Sequence, residues 1–581
     1  MTLIQDLESR LAAAFQTVLG EAVSAPVVAA ADLRFGDYQS NAAMALAKQR
    51  KTNPRALAEQ VIAAIDLGGL GTADIAGPGF INFRISPETF AARAKAQLAD
   101  ERLGVPELAE RKTIVVDFSA PNVAKPMHVG HIRSTIIGDA LARISRFLGH
   151  HVITDNHIGD WGTQFGMILH GWKTLLDEDA LARDPISELL RLYRDVNAAT
   201  KADPAVLDTC KAELVKLQAG DAGNLAIWQR CVELSKQGLQ RIYDRLDIHF
   251  DHWLGESFFN DRLSGLVEEF LAAGIARVSD GAVCIFSSGT KPPESDPFKV
   301  GREDGWGDNP SIIRKADGGF LYATTDLATL EYRIDQWKAD EIWYVVGVPQ
   351  QLHFRQIFDA AERWGKTANF QHVAFGSILG EDRKLMRTRS GENVGLIEVL
   401  GEAVERAANA IAEKNPDLVG EEAANVAEIV GIGAVKFAEL SQNRLTDYVF
   451  AWDRMLALQG DTAPYLQYSH VRIRGIFRKM EGEFDASTAA IHLSEDAEIH
   501  LARLLARFGE VLPQVLVDHR PNLLANYLLE LARAFHSFFE ACPVLKAEEP
   551  LRTSRLALCE LSSRVLGQGL GLLGIRCPER M

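Results

Sequence analysis

Between Thr113 and Thr154 the chain alternates in a way that few architectures accommodate. A β-branched run, Thr113–Phe118 (TIVVDF), leads into a polar loop. A helical segment follows from His131 to Leu148, and then a second strand-like run from His151 to Thr154. Strand, loop, helix and strand in that order predict a parallel α/β sheet. Further strands are predicted at Glu341–Val348 and His372–Phe375. The long helical patterns between them, at about residues 170–300, read as an insertion into that sheet.

The flanks differ in character. Near the start, Leu3, Ile4, Leu7, Leu11, Phe15, Val18 and Leu19 recur at helical spacing with one apolar face. Gly77–Ile85 (GPGFINFRI) opens with turn residues and continues as an alternating strand, so residues 1–110 are predicted to form a small α+β domain. From about residue 400 the pattern is helical throughout, with series at Leu501, Leu504, Leu505, Phe508, Val511, Leu512 and at Leu524, Leu528, Leu531, Phe535, Phe538, Phe539. The expectation is a multidomain α/β protein, with a parallel-sheet domain over 111–398 and an all-α bundle over 399–581.

A chain of 581 residues is long enough for about three or four domains, and 47% hydrophobic with 24% charged residues argues against extended disorder. The net charge of −16 weighs mildly against a polyanionic partner, but binding depends on where basic side chains cluster. Six cysteines are scattered without a CxxC pair, which fits reduced thiols and gives no zinc-ribbon spacing. Asp6 and Glu8 precede any basic residue and no long apolar run follows, so a soluble cytoplasmic protein without a membrane span is expected.

The chemistry concentrates in Asp117–His131 (DFSAPNVAKPMHVGH), between a predicted strand and a predicted helix, where open α/β sheets place their ligand crevice. Neither a dinucleotide fingerprint nor a Walker A glycine spacing is present. The loop offers His128 and His131 around Gly130 at the mouth of a helix, where free N–H groups and the macrodipole attract phosphate. Two imidazoles there can donate hydrogen bonds to phosphate oxygens without shuttling protons. Read in isolation, the HxxH pair is equally two ordinary helix-start histidines or half of a metal site, although no third ligand stands at an obvious spacing.

The wider context resolves that choice. HVGH resembles the HIGH motif of class I aminoacyl-tRNA synthetases. SAPNVAKPMHVGHIRSTIIGDA and DNHIGDWGTQFG resemble arginyl-tRNA synthetases more narrowly. The likeness runs from GDYQSNAAMALAK and GPGFINF near the start to the closing LGIRCPERM. It implies a Rossmann-like catalytic domain, an N-terminal domain on the tRNA elbow and a C-terminal anticodon-binding bundle. The implied reaction activates arginine with ATP, carried with Mg2+, to arginyl-adenylate and pyrophosphate. Transfer to the terminal adenosine of tRNA(Arg) follows, with no tightly bound protein metal and a monomeric enzyme.

By the same resemblance, Asp117, Ser119, Asn122, Tyr322, Asp326 and Gln350 bind arginine, with Asp326 on the guanidinium and Asp117 and Asn122 near the α-amino group. His128, Gly130 and His131 bind ATP. The stretch Lys384–Gly391 (KLMRTRSG) departs from the class KMSKS loop, since its second lysine is missing. Lys384, Arg387 and Arg389 can supply charge there, and Lys125, three residues before HVGH, is the compensating lysine the family implies. His157, Asp160, Trp161 and Gln164 are expected to frame the pocket floor. For tRNA the resemblance points to Phe80 and Asn82, to Arg472 and Arg478 in the basic stretch Tyr465–Lys479, and to Tyr527. Two other readings compete: another class I synthetase or nucleotidyl transferase, and a non-enzymatic RNA-binding paralogue with eroded active-site residues.

Overall fold

Buried apolar runs build the central sheet of the first of two compact units, which comprises residues 109–410 and 434–456. In the computed structural model the chain is described throughout except at residues 381, 385, 387–393, 481, 483 and 487 and the side chain of Thr163. The elements that position the site are β1 (Thr113–Asp117), α1 (Val129–Leu148), β2 (His151–Asp155), α2 (Tyr322–Asp335), β3 (Glu341–Tyr344), α3 (Gln351–Arg363) and β4 (Asn369–His372). The strands run parallel in the order β4-β3-β1-β2. Ile114, Val115, Val116, Ile342 and Trp343 are buried, the near-continuous burial of a sheet covered on both faces. The register sets Asp117 level with Asp155 on one side and with Tyr344 on the other.

Helix α1 begins two residues before the predicted start, because His128 takes the N-cap position. Gly149, at φ 108°, ends it in the left-handed conformation that favours glycine. Midway along, a Cβ on Gly138 would stand 2.2 Å from Cγ of Phe118, so only a glycine lets the helix lie this close to the loop that leaves β1. The third strand stops at Tyr344 instead of Val348, as Val348–Gln350 form a 3-10 turn containing Pro349. The last strand occupies Asn369–His372, upstream of the predicted His372–Phe375.

The insertion is helical in its first part, where Phe165, Ile168, Leu189, Leu217 and Cys231 share one core with Val123. Two of its helices start on an Asp cap followed by Pro, at Asp184–Pro185 and Asp203–Pro204. Its later part is not helical: Ala276–Ser279, Ala282–Ile285 and Ser311–Arg314 form an antiparallel sheet. Also wholly or partly within this unit are β5 (Ile378–Leu379), the end of α4 (Gly420–Leu440) and β6 (Tyr448–Val449).

The second unit comprises residues 1–108, 411–433 and 457–581. Its N-terminal helix Leu3–Leu19 spans the predicted residues, with a capping box at Thr2 and Gln5. An antiparallel sheet of Val28–Ala29, Tyr38–Ser40, Phe80–Ile85 and Gly71–Ala76 follows, in that spatial order. Within this unit the Tyr38 hydroxyl lies 3.2 Å from both oxygens of Glu510, and the Ile4 N–H donates to the same carboxylate at 3.1 Å. Burial pushes Glu510 up to about 7. Among the described residues no helix is long and apolar enough to cross a membrane.

Candidate active site

At the start of α1 the main chain fixes both imidazoles. The Gly130 N–H donates to Nδ1 of His128, and the His128 N–H donates to Nδ1 of His131, each at 3.1 Å. The His128 Nδ1 that accepts the Gly130 N–H carries no proton of its own, so the neutral His128 ring bears it on Nε2, whereas the His131 Nδ1 also lies 3.3 Å from the His128 carbonyl and its role follows its tautomer. Burial lowers the His128 pKa, and burial with the neighbouring His128 ring brings His131 to about 4. The rings lie 4.1 Å apart between centroids. The helix mouth thus presents two neutral imidazoles beside its own N–H groups, a setting that suits an anionic phosphate. Gly130 is exposed, and a Cβ there would come within 2.9 Å of the His128 ring.

Behind the histidines lies a buried charge cluster. Nη2 of Arg333, on α2, is 2.7 Å from Oδ2 of Asp117 and 2.8 Å from Oδ2 of Asp155. Burial raises the Asp117 pKa against the opposing pull of Arg333. Ser119 has φ 72°, and its hydroxyl lies 2.8 Å from Thr135 Oγ1 and 2.7 Å from the Tyr243 hydroxyl. Expected as an arginine contact, this side chain ties the loop to α1 and to the insertion. Asn122 is exposed, and its backbone pairs with Gly159, where a Cβ would meet Asn122 Oδ1 at 2.3 Å. Lys125 stands with Nζ 4.7 Å from the centre of the Tyr193 ring, and burial lowers its pKa.

Tyr322 and Asp326 lie one turn apart at the start of α2. Asp326 Oδ2 is 2.5 Å from Nε2 of His353 on α3, and Tyr322 is 71% exposed. Gln350 is exposed in the turn before α3. Glu256 was not anticipated. Burial pushes it up to about 7, and the charges of Asp160 and Asp326 raise it further while His157 opposes them. Asp160, expected at the pocket floor, accepts the Ser257 N–H at 2.9 Å and lies 2.7 Å from the Ser257 hydroxyl, holding the Glu256 segment in place. Of the other floor residues, His157 Nδ1 is 2.8 Å from the Leu254 carbonyl, Gln164 donates to the Gly159 carbonyl and Trp161 packs edge-on against Trp228.

Lys384 is exposed beyond β5, and its carbonyl accepts the Gly380 N–H at 2.8 Å. Arg387 and Arg389 lie outside the described residues.

The tRNA candidates separate clearly. Phe80 is half-buried at a strand start. Asn82 is 1% exposed, with its oxygen taken by Gln39 Nε2 at 2.7 Å and its nitrogen by Asp74 at 3.0 Å, so it offers no free edge to a base. Tyr527 is also a correction: it is buried, and its hydroxyl donates to the Leu504 carbonyl at 2.9 Å. Arg472 lies over the Phe539 ring at 4.9 Å, and Arg478 is exposed.

The parallel sheet, polar loop and histidine-capped helix lie within the region that matches the catalytic domain of class I aminoacyl-tRNA synthetases. The family profile described as "tRNA synthetases class I (R), catalytic domain" matches residues 93–452. The "Arginyl tRNA synthetase N terminal domain" matches 2–85 and the "DALR anticodon binding domain" matches 466–581. A curated arginine–tRNA ligase of Thermobifida fusca is 46% identical, with 94% of each chain covered. Solved arginyl-tRNA synthetases of Plasmodium falciparum (28% identity, TM-score 0.84, covering 100% of this chain and 99% of that one) and Thermus thermophilus (26%, 0.83, 100% of both) share the fold. The chain belongs to the arginyl-tRNA synthetase family.

Proposed function

We propose that this chain activates arginine with ATP and transfers it to tRNA(Arg), with release of AMP and pyrophosphate. The observation that carries the reading is the helix mouth, where the main chain holds the His128 and His131 imidazoles beside the free N–H groups of α1. His128 and His131 donate from Nε2 to the phosphates as charge develops, while Gly130 lets the nucleotide approach the backbone. Lys125, Lys384 and Arg387 supply positive charge, and Mg2+ accompanies ATP as part of the substrate.

Asp326 and Glu256 grip the guanidinium, whose planar fork suits two carboxylates, with Tyr322 and Gln350 at the rim. Asp117 and Asn122 face the α-amino end. Two carboxylates (Asp117 and Asp155) against one guanidinium (Arg333) leave one negative charge there for the ammonium group. Three parts divide the work: residues 1–110 on the tRNA elbow through Phe80, 111–398 on catalysis, and 399–581 on the anticodon arm through Arg472 and Arg478. The protein acts as a cytoplasmic monomer.

Arginine-dependent ATP–pyrophosphate exchange, with and without tRNA(Arg) and with lysine and citrulline as controls, tests this reading. Exchange with arginine alone among the three supports it. No exchange by the folded protein in either condition favours the RNA-binding paralogue.

A further inference from the structure

Arg133 lies two residues after His131 on α1, yet it faces away from the crevice and is 1% exposed. Its Nε is 3.1 Å from Oε2 of Glu439 on α4, whose side chain is fully buried. Its Nη1 donates to the Thr446 carbonyl at 3.0 Å. The guanidinium also lies over the rings of Tyr448 and Phe375, 5.3 and 5.9 Å from their centres, and the Tyr448 hydroxyl donates to Glu439. A charge buried this deeply is held at a desolvation cost, and every partner it has leads to one place.

That place is the stalk of the Lys384 loop. β5 and β6 pair in parallel, Ile378 with Tyr448 and Leu379 with Val449. The Gly376 N–H donates to the Arg444 carbonyl at 2.9 Å, the Ser377 N–H to Asp447 Oδ1 at 2.5 Å, and the Phe450 N–H to the Leu379 carbonyl at 2.9 Å. A Cβ on Gly376 would stand 2.6 Å from Asp447 Oδ1, so the two segments interlock. Just beyond β5 the Gly380 N–H donates to the Lys384 carbonyl at 2.8 Å, which ties Lys384 to the end of the stalk.

We infer that Arg133 is a positioning residue that joins the histidine-bearing helix to the stalk of the Lys384 loop, so that the two phosphate-binding elements keep one relative placement during arginine activation. The inference rests on the adenylation reading above. Arg133 touches no substrate. It acts by fixing where Lys384 stands with respect to His128 and His131, and misplacement of such groups by about 1 Å can cost ~100-fold in rate.

Two variants test it by ATP–pyrophosphate exchange together with thermal melting. Arg133→Lys keeps the charge beside Glu439 but loses the fork that reaches Thr446. Asp447→Ala strips an exposed side chain from the stalk and leaves no buried charge unpaired. Both are expected to lower kcat and raise the ATP KM, by about tenfold or more in kcat/KM. The arginine KM stays unchanged, and the melting temperature of Asp447→Ala stays near wild type. Wild-type kinetics in Asp447→Ala overturn the inference, as does an equal rise of both KM values that tracks lost thermal stability in Arg133→Lys. A wild-type chain without arginine-dependent exchange overturns the adenylation reading and this inference with it, whereas unchanged variants beside an active wild type overturn the inference alone.

Discussion

Nη2 of Arg333 sits 2.7 Å from Oδ2 of Asp117, so the carboxylate at the tip of the central strand meets the crevice already partnered. Removing the cation by Arg333→Met leaves two buried carboxylates facing each other across adjacent strands. Breaking a buried pair from one side costs about 3–5 kcal/mol, and a loss of that size is expected for the catalytic unit in urea denaturation followed by near-UV dichroism. Unchanged stability would show that the cluster is not held by charge.

The two carboxylates of the proposed guanidinium pocket should separate cleanly from the phosphate site. Asp326→Asn and Glu256→Gln are each expected to raise the arginine KM by about 30- to 100-fold, since a charged hydrogen bond lost in a desolvated site costs roughly 2–3 kcal/mol. The ATP KM is expected to hold. His353→Gln, which loosens Asp326 from its 2.5 Å partner, gives a smaller rise on the same parameter.

Glu256 also predicts a pH dependence. Its carboxyl is held up to about 7, so it is charged above that pH and neutral below it. The affinity for the arginine cation is therefore full at pH 8 and falls with acidification, with kcat/KM for arginine dropping by up to about tenfold per pH unit below 7. Glu256→Gln removes this inflection, and an unchanged profile in that variant assigns the titration to another group.

At the helix mouth, His128→Ala and His131→Ala each delete one imidazole of the proposed phosphate site, and kcat for pyrophosphate exchange is expected to fall by about 100- to 1,000-fold. His131 titrates near 4 in the folded chain against an ordinary 6.5. Unfolded chains take the proton first as pH falls, so the native state is unpenalised above 6.5 and loses stability progressively between 6.5 and 4. Chemical denaturation of wild type and His131→Ala at pH 7.5 and 5 measures the difference.

On the RNA side, buried and exposed candidates should part company. Arg472→Ala is expected to weaken tRNA binding and to lower the slope of log affinity against log salt by about one. Tyr527→Phe loses only its bond to the Leu504 carbonyl, so stability falls by about 1 kcal/mol while tRNA affinity is unchanged.

Local pattern carried most of the catalytic sheet. The β-branched run at Thr113 and the polar loop before His131 are signals a few residues long, and the helix differs only because His128 supplies the cap. What escaped were groups whose meaning depends on distant partners. Glu256 sits in an ESFF turn without a local signal, and its carboxyl is raised only because the fold buries it and brings the charges of Asp160 and Asp326 to bear on it. Arg333 stands among polar neighbours in EYRID and reads as a surface charge, until the strand register brings Asp117 and Asp155 to its tip. Tyr527 and Asn82 failed in the opposite sense, because a polar side chain can satisfy itself inside the protein as well as on a base.

Gly138 acts as a spacer of zero thickness. A helix is close to a rigid rod, rising about 1.5 Å per residue, so its clearance over Phe118 and the tilt of its mouth are a single mechanical quantity. The smallest side chain at this position would serve as a fulcrum beneath the rod. The displacement would be felt some ten residues away, where the two imidazoles stand at the helix mouth, and not only at the point of collision. One missing methyl group, buried beneath the helix, thereby calibrates the depth of a site it never touches.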